Sequence, residues 1–250
     1  MAASGRTLTD TARTSHAWRV AQSAVEQLRC FQTSHSARNI NNNMSATIVC
    51  ADGESRCHWC GTTPELLAYH DTEWGFPVGD DQRLFEKLSL EGFQCGLSWR
   101  TILAKRENFR AAFHGFDFER IARYTQRDVD RLLKDEGIVR HRGKIEAVIN
   151  NARQACELVE REGSLAAFVW RYEPDPAQVV PPQTVSTSAE SLALSKDLKK
   201  RGWKFIGPTT VYALMQAMGL VNDHDAACVI RAKVERARKT FKRPLLDSRK

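Results

Sequence analysis

Two short phrases supply side chains that hold transition metals. Cys57-His58-Trp59-Cys60 is a Cys-x2-Cys, and Asp223-His224-Asp225-Ala226-Ala227-Cys228 contains a His-x3-Cys. On a helix, His224 and Cys228 would stand one turn apart on one face and share an ion. Thiolate and imidazole together suit zinc. Four protein ligands leave no open coordination position, so a site drawn from both phrases would be structural and would join the start of the patterned region to its end. Two buried thiols and a solvated histidine fit the same spacing.

A second constellation is aromatic and acidic. It comprises Tyr69-His70-Asp71-Thr72-Glu73-Trp74-Gly75, Leu90-Glu91-Gly92-Phe93-Gln94 and Gly96-Leu97-Ser98-Trp99. Glu91 continues the apolar run Leu84, Phe85, Leu88 and Leu90. A carboxylate buried there needs a partner, because an unpaired buried charge is strongly unfavourable; the alternative is a helix-end carboxylate in water. Trp59, Trp74 and Trp99 are either ordinary core or the walls of a slot for a flat ring, with Glu91 and Tyr69 reading its edge.

The third runs from Leu198 through Lys199, Lys200, Arg201, Gly202, Trp203, Lys204, Phe205, Ile206, Gly207, Pro208, Thr209 and Thr210 to Tyr212. A basic helix end, a glycine-containing turn and a new helix make a helix–hairpin–helix arrangement. Backbone N–H groups at such a turn suit a phosphate, and the lysines add nonspecific attraction. A helical hairpin with a solvated basic face fits equally.

The elements that must position these residues read as helices. Asp80 and Asp81 are placed to cap one helix, and apolar periodicity continues over Leu97–Phe113, Asp117–Tyr124, Val129–Leu133, Lys144–Glu160 and Ser164–Tyr172. The prolines of 173–187 mark a surface connection. Helices then restart at Ser188 and after Gly207-Pro208, and Gly219 ends the last. No alternating strand pattern is evident, so the expected fold class is all-α.

Hydrophobic residues are 42% and charged residues 27% of 250, which excludes a disordered or fibrous chain. No apolar run is long enough for a membrane-spanning helix. The net charge of +7 is uneven: residues 229–250 hold nine Lys/Arg against two acids, 1–43 five against two, and the stretch between is slightly acidic. The basic balance is therefore weak evidence for a polyanionic partner. Seven cysteines, an odd number without a secretory leader, indicate reduced thiols. Residues 1–55, rich in Ser, Ala, Asn and Arg, read as a disordered leader, a transit-like segment or a stretch upstream of a true start at Met44. Val20, Val25 and Leu28 are its only apolar periodicity.

Together these phrases resemble the 3-methyladenine-DNA glycosylase I family. The resemblance covers about Arg56 to Cys228, in order. It rests on Arg56-Cys57-His58-Trp59, Ala68 to Gly75, Leu90-Glu91-Gly92, Gly96-Leu97-Ser98-Trp99 and Lys105-Arg106-Glu107-Asn108-Phe109. Gly137 to Ile145, Phe205-Ile206-Gly207-Pro208-Thr209-Thr210 and Gly219 to His224 complete it.

The resemblance implies an all-α helix–hairpin–helix enzyme that flips 3-methyladenine out of alkylated double-stranded DNA and removes it by hydrolysis, starting base excision repair. It implies a domain over 56–228 between the leader and a basic tail at 229–250. It also implies one structural zinc on Cys57, His70, His224 and Cys228, with Cys60 as a spare thiol able to exchange with Cys57. Carried over, Glu91 is the catalytic reader of the base, with Tyr69 at the base edge, Trp59 and Trp99 stacking and Trp74 as a further wall.

Gly96, Leu97, Lys204, Gly207, Thr209 and Thr210 are the expected DNA contacts. Leu97 is either a wedge for the gap left by the flipped base or a buried helix-start leucine. Asn222 stands where many relatives of the wider superfamily carry a catalytic Asp, which argues against an Asp-driven mechanism. None of the pocket phrases offers an amine nucleophile, so no strand scission is expected. The implied protein is a monomer without membrane contact. In a bacterium it would be cytoplasmic and nucleoid-associated, while the leader leaves mitochondrial or nuclear targeting open. Two other classes fit the residues alone: a noncatalytic binder of distorted DNA, and a zinc-stabilised helical protein with protein partners.

Overall fold

The computed structural model describes residues 46–175 and 181–245, all within the unit Asn43–Lys250. The leader's amphipathic turn and the alternative start at Met44 lie outside the described residues. Strands β1 (Thr47–Val49) and β2 (Ser55–Cys57) pair antiparallel. A 3-10 turn at His58–Thr62 leads into α1 (Pro64–Thr72), followed by α2 (Asp81–Gln94), α3 (Trp99–Ala104) and α4 (Arg106–Ala112). Next come α5 (Phe118–Ile121), α6 (Gln126–Leu132), α7 (Arg142–Glu162), α8 (Leu165–Trp170), α9 (Ala189–Lys200), α10 (Pro208–Ala217) and α11 (Arg231–Thr240).

The fold is helical, as expected, with three corrections. The β1–β2 hairpin departs from an all-α chain, and its three-residue strands are too short to show an alternating pattern. β1 also lies within the stretch read as a leader. α11 lies within the stretch read as a basic tail, and its charges are used by the fold. Arg238 donates to the Gly219 carbonyl, and Arg238 and Arg243 both pair with Glu173, at 2.9 and 2.8 Å. Val234 is buried, and Phe241 packs on Trp170. Finally, the periodic stretch 97–113 is broken at Lys105 into α3 and α4, where the Lys105 ammonium donates to the carbonyls of Glu136 and Gly137.

Side chains fix where the helices begin. Thr63, Asp80, Ser98, Ser164 and Ser188 each accept a hydrogen bond from a backbone N–H of the first turn of α1, α2, α3, α8 and α9. Asp81 reaches across to a second helix, accepting from the Leu165 and Ala166 amides and from Ser164 Oγ.

The centre of the molecule is α2, packed against α3, α7, α8 and α10. From Leu84 to Phe93 it is buried on every side, so its charged residues must be compensated in place. Glu86 pairs with Arg110 at 2.8 Å, and Glu91 with Lys87 at 2.8 Å. The last carbonyls of α2 are met by a cation from another helix, where Lys144 Nζ donates to Phe93 O and Cys95 O.

Helices α9 and α10 form a hairpin joined by residues 201–207. Two features hold its turn. Gly202 takes φ +85°, the left-handed region that favours glycine. The buried Asn151 of α7 clasps Lys204 by both backbone groups, accepting from its N–H at 2.8 Å and donating to its carbonyl at 2.9 Å. Replacing Asn151 by Ala strands both groups. We expect Asn151→Ala to lower the unfolding free energy in urea by about 1–3 kcal/mol; unchanged stability would show that the clasp is dispensable.

Candidate active site and metal-ligand cluster

Glu91 lies in the second-last turn of α2 and is almost entirely buried. Its partner is Lys87, one turn earlier on the same helix. The Lys87 ammonium lies 2.8 Å from Glu91 Oε1, donates to Tyr69 Oη at 2.7 Å, and sits 3.3 Å from the centre of the Trp99 ring. Tyr69 (α1) and Trp99 (α3) have ring centres 5.3 Å apart, and Tyr69 and Trp59 6.4 Å. Three helices and the 3-10 turn therefore converge on one buried, aromatic-walled carboxylate, already holding a cation. The Trp99 indole N–H is buried and has no hydrogen-bond partner among the described residues.

Burial pushes the Lys87 ammonium below the usual lysine range, and Glu91 opposes that push. Burial, then the charges of Glu91 and Glu73, raise the Tyr69 phenol well above its ordinary value, so it stays neutral. Glu73 is held by both guanidinium nitrogens of Arg106, at 2.7 and 2.9 Å.

Lys87 was not among the sequence candidates: it belongs to none of the phrases that carried the resemblance, and it stands one turn before Glu91, at the i,i+4 spacing that pairs opposite charges on a helix. Trp74 is placed differently from the slot walls. Its ring packs on Trp59, His70 and His224 at 5.1, 6.2 and 4.6 Å, so it supports Trp59 from the cluster side.

Gly96 and Leu97 form the turn between α2 and α3, close in sequence to Glu91 and Trp99. Gly96 takes φ +82°, and Leu97 is 41% exposed, which departs from a buried helix-start leucine. Lys204 is exposed in the hairpin turn, and Gly207 is the N-cap position just before α10, without a side-chain cap, ahead of Thr209 and Thr210. Asn222 is taken up by α11, donating to Arg231 O and Glu235 Oε1. Its neighbour Asp223 accepts from the Gln183 amide and from Gln216. Asn222 and Asp223 line a separate cavity of about 310 Å³ with Tyr212 and Arg231.

The structure brings Cys57, His70, His224 and Cys228 together, with all four ligand atoms within 4.8 Å of one another and all four residues buried. Cys57 ends β2 and His70 lies in the last turn of α1. His224 and Cys228 lie in the irregular loop between α10 and α11, not on a helix as their spacing suggested. That loop runs along β2, with the Val229 amide donating to Ser55 O.

The separations are 3.1 Å for His224 Nδ1 to His70 Nε2, 3.5 Å for Cys228 Sγ to His70 Nε2, 3.6 Å for Cys228 Sγ to His224 Nδ1, and 3.8 Å for Cys57 Sγ to His224 Nδ1. A tetrahedron with metal–nitrogen bonds of about 2.0–2.1 Å and metal–sulfur bonds of about 2.3 Å has edges of about 3.3–3.8 Å. Outer partners set the ring orientations. His70 Nδ1 donates to Asp71, which Arg56 holds, and His224 Nε2 donates to the Trp74 carbonyl. Each imidazole thus turns its other nitrogen inward.

The Asp225 amide and Gln183 Nε2 donate to Cys57 Sγ. The hydrogen bond from Cys57 holds the Cys228 thiol far below its ordinary value against burial, with His224 and His70 adding to it. Burial presses the His70 imidazole down, but the Cys228 and Cys60 thiols and Asp71 outweigh it and lift it to about 10. The spacing and chemistry of these four donors fit a tetrahedral metal. Cys60 is not one of the four but lies against them: its thiol donates to the Cys57 carbonyl at 3.0 Å and acts on His70.

Fold and site define a helical protein built around a buried carboxylate–ammonium pair among aromatic rings. Residues 59–232 match the family model for methyladenine glycosylase. Over 177 residues the chain is 49% identical to DNA-3-methyladenine glycosylase 1 of Escherichia coli (strain K12), covering 69% of this chain and 95% of that protein. A crystal structure of 3-methyladenine DNA glycosylase I (TAG) superposes with a TM-score of 0.66 at 49% identity, over 70% of this chain and 98% of the other. TAG from Staphylococcus aureus, solved for the structural basis of 3-methyladenine recognition, superposes with a TM-score of 0.64 at 36% identity, over 74% and 97%. The chain belongs to the methyladenine glycosylase family.

Gly75 sits where the two sites meet, at φ +86°, and an added Cβ would lie 3.0 Å from His224 Nε2. We expect Gly75→Ala to cost about 1–3 kcal/mol of stability, from backbone strain and displacement of His224. A thermal unfolding midpoint equal to the parent's would contradict this.

Proposed function

We propose that the chain is a monofunctional DNA glycosylase that flips a 3-methyladenine nucleotide out of alkylated double-stranded DNA and hydrolyses its N-glycosidic bond. The observation that carries the reading is the buried Glu91 with Tyr69 and Trp99, an arrangement that already stabilises a positive charge. 3-Methyladenine in DNA is cationic and ordinary adenine is neutral. Glu91 accepts hydrogen bonds from the alkylated ring, Tyr69 meets its edge, and Trp99 and Trp59 stack on it. Each favourable cation–π contact adds on the order of 0.5–2 kcal/mol, and the carboxylate favours the charged base.

Because the charge already weakens the bond, the protein needs no acid to protonate the leaving group. Water adds to C1′, the bond to the base breaks, a proton passes to solvent and 3-methyladenine leaves neutral. The engagement of Asn222 by α11 agrees with a mechanism that uses no Asp at that position.

In this reading Leu97, on the turn allowed by Gly96, fills the gap left by the flipped nucleotide. The backbone N–H groups at Gly207, Thr209 and Thr210 face a phosphate, with Lys204 adding charge. Cys57, His70, His224 and Cys228 would hold one zinc ion that ties the β-hairpin and α1 to the loop after α10. With four protein ligands, such an ion does structural work only. The protein acts as a monomer. Among the described residues no helix is long and apolar enough to cross a membrane.

The direct test incubates the protein with methylated duplex DNA and identifies the products. Free 3-methyladenine with unbroken strands is expected; DNA binding without base release would favour the noncatalytic reading. Glu91→Gln should lower the release rate by a factor of about 100 or more, with an unchanged circular dichroism spectrum. Release at the parent rate would remove Glu91 from the reaction.

Metal analysis should find one zinc per chain, lost in His224→Ala together with several degrees of melting temperature. A metal-free protein of equal stability would contradict the zinc assignment.

A further inference from the structure

The contacts that would serve the damaged base are already made by the protein itself. Lys87 Nζ touches Glu91 Oε1, Tyr69 Oη and the Trp99 face at 2.8, 2.7 and 3.3 Å. The same three groups cannot hold an ammonium and a purine cation together. Two positive charges beside one carboxylate repel, and the ring needs the indole face that Nζ covers. The other charges acting on this point are Glu73, after α1, and Arg106, on α4. They are engaged with each other at 2.7 Å, so Glu73 offers no second carboxylate to an added cation.

We propose that Lys87 is an internal competitor for the base: its ammonium occupies the seat of the cationic ring in the resting protein and is expelled when that ring binds. The proposal rests on the glycosylase reading of the slot. It gives Lys87 a definite use. While undamaged DNA is sampled, the ammonium balances Glu91 and keeps the slot filled. A neutral ring that displaced it would leave the buried carboxylate without a cation. An alkylated ring brings its own charge and restores the balance. Lys87 thereby sets the threshold that a base must exceed to enter.

Two small molecules separate the cases. 3,9-Dimethyladeninium carries the fixed charge of the damaged nucleoside, and 9-methyladenine is its neutral counterpart. Their inhibition constants are measured on base release from methylated duplex DNA at pH 8, for the parent, Lys87→Met and Lys87→Arg. Removing the competitor should tighten inhibition by 3,9-dimethyladeninium tenfold or more in Lys87→Met, with 9-methyladenine inhibition also strengthened. Lys87→Arg, which keeps a cation in the seat, should stay as weak as the parent. A merely structural lysine would give weaker or unchanged inhibition in Lys87→Met, and either result overturns the proposal.

The parent alone supplies a second readout that does not depend on a variant's folding. With lysine labelled at 13Cε, the Lys87 resonance should shift on adding 3,9-dimethyladeninium, and a resonance that stays in place overturns the proposal. If the parent releases no base at all, the glycosylase reading fails and this one with it. If it releases base but neither readout moves, only the competitor role fails.

Discussion

Glu91 carries a negative charge into a part of the protein that almost no water reaches. Leaving it there unpaired would be strongly destabilising, and the surrounding residues are arranged to meet that demand. Lys87 supplies the charge from one turn below, Tyr69 accepts from Lys87, and Trp99 lays its ring face against the ammonium. A carboxylate in water shows little preference for one cation over another, because solvent screens it. Behind aromatic walls, in the proposed reading, the same group distinguishes a charged ring from a neutral one of nearly the same shape.

The rest of the fold encloses that arrangement. α2 is enclosed on all sides, and Lys144 meets its last carbonyls. Trp59 and Trp74 link the slot to the Cys/His cluster through a continuous run of ring contacts ending at His224. A distortion of the cluster would therefore be felt at Trp59. The cluster draws on β2, α1 and the loop after α10. It thus closes the chain on itself and fixes the element that carries Tyr69.

Much of this was legible in the residues. The helical class and Glu91 inside an apolar run follow from periodicity, while spacing left the joining of Cys57 to His224 and Cys228 open and placed the last two on a helix instead of the loop they occupy. Spacing could not choose His70 over Cys60. That choice came from the resemblance, and in the structure it depends on Asp71 and Arg56 turning the imidazole inward. The β-hairpin escaped because three-residue strands have no detectable period. α11 escaped because a chain rich in Arg and Lys reads as solvated, whereas Arg238 and Arg243 are consumed by Glu173 and Gly219. Lys87 was hidden by the ordinary expectation that lysines face water, although the buried carboxylate four residues on demanded a cation.

The slot is proposed as a seat for a positively charged purine. A crystal structure of the protein soaked with 3,9-dimethyladeninium tests this most directly. The ring should lie on the Trp99 face, within hydrogen-bonding reach of Glu91, with the Lys87 ammonium moved away. A ring bound elsewhere, with Lys87 still joining Glu91 to Tyr69, would contradict it.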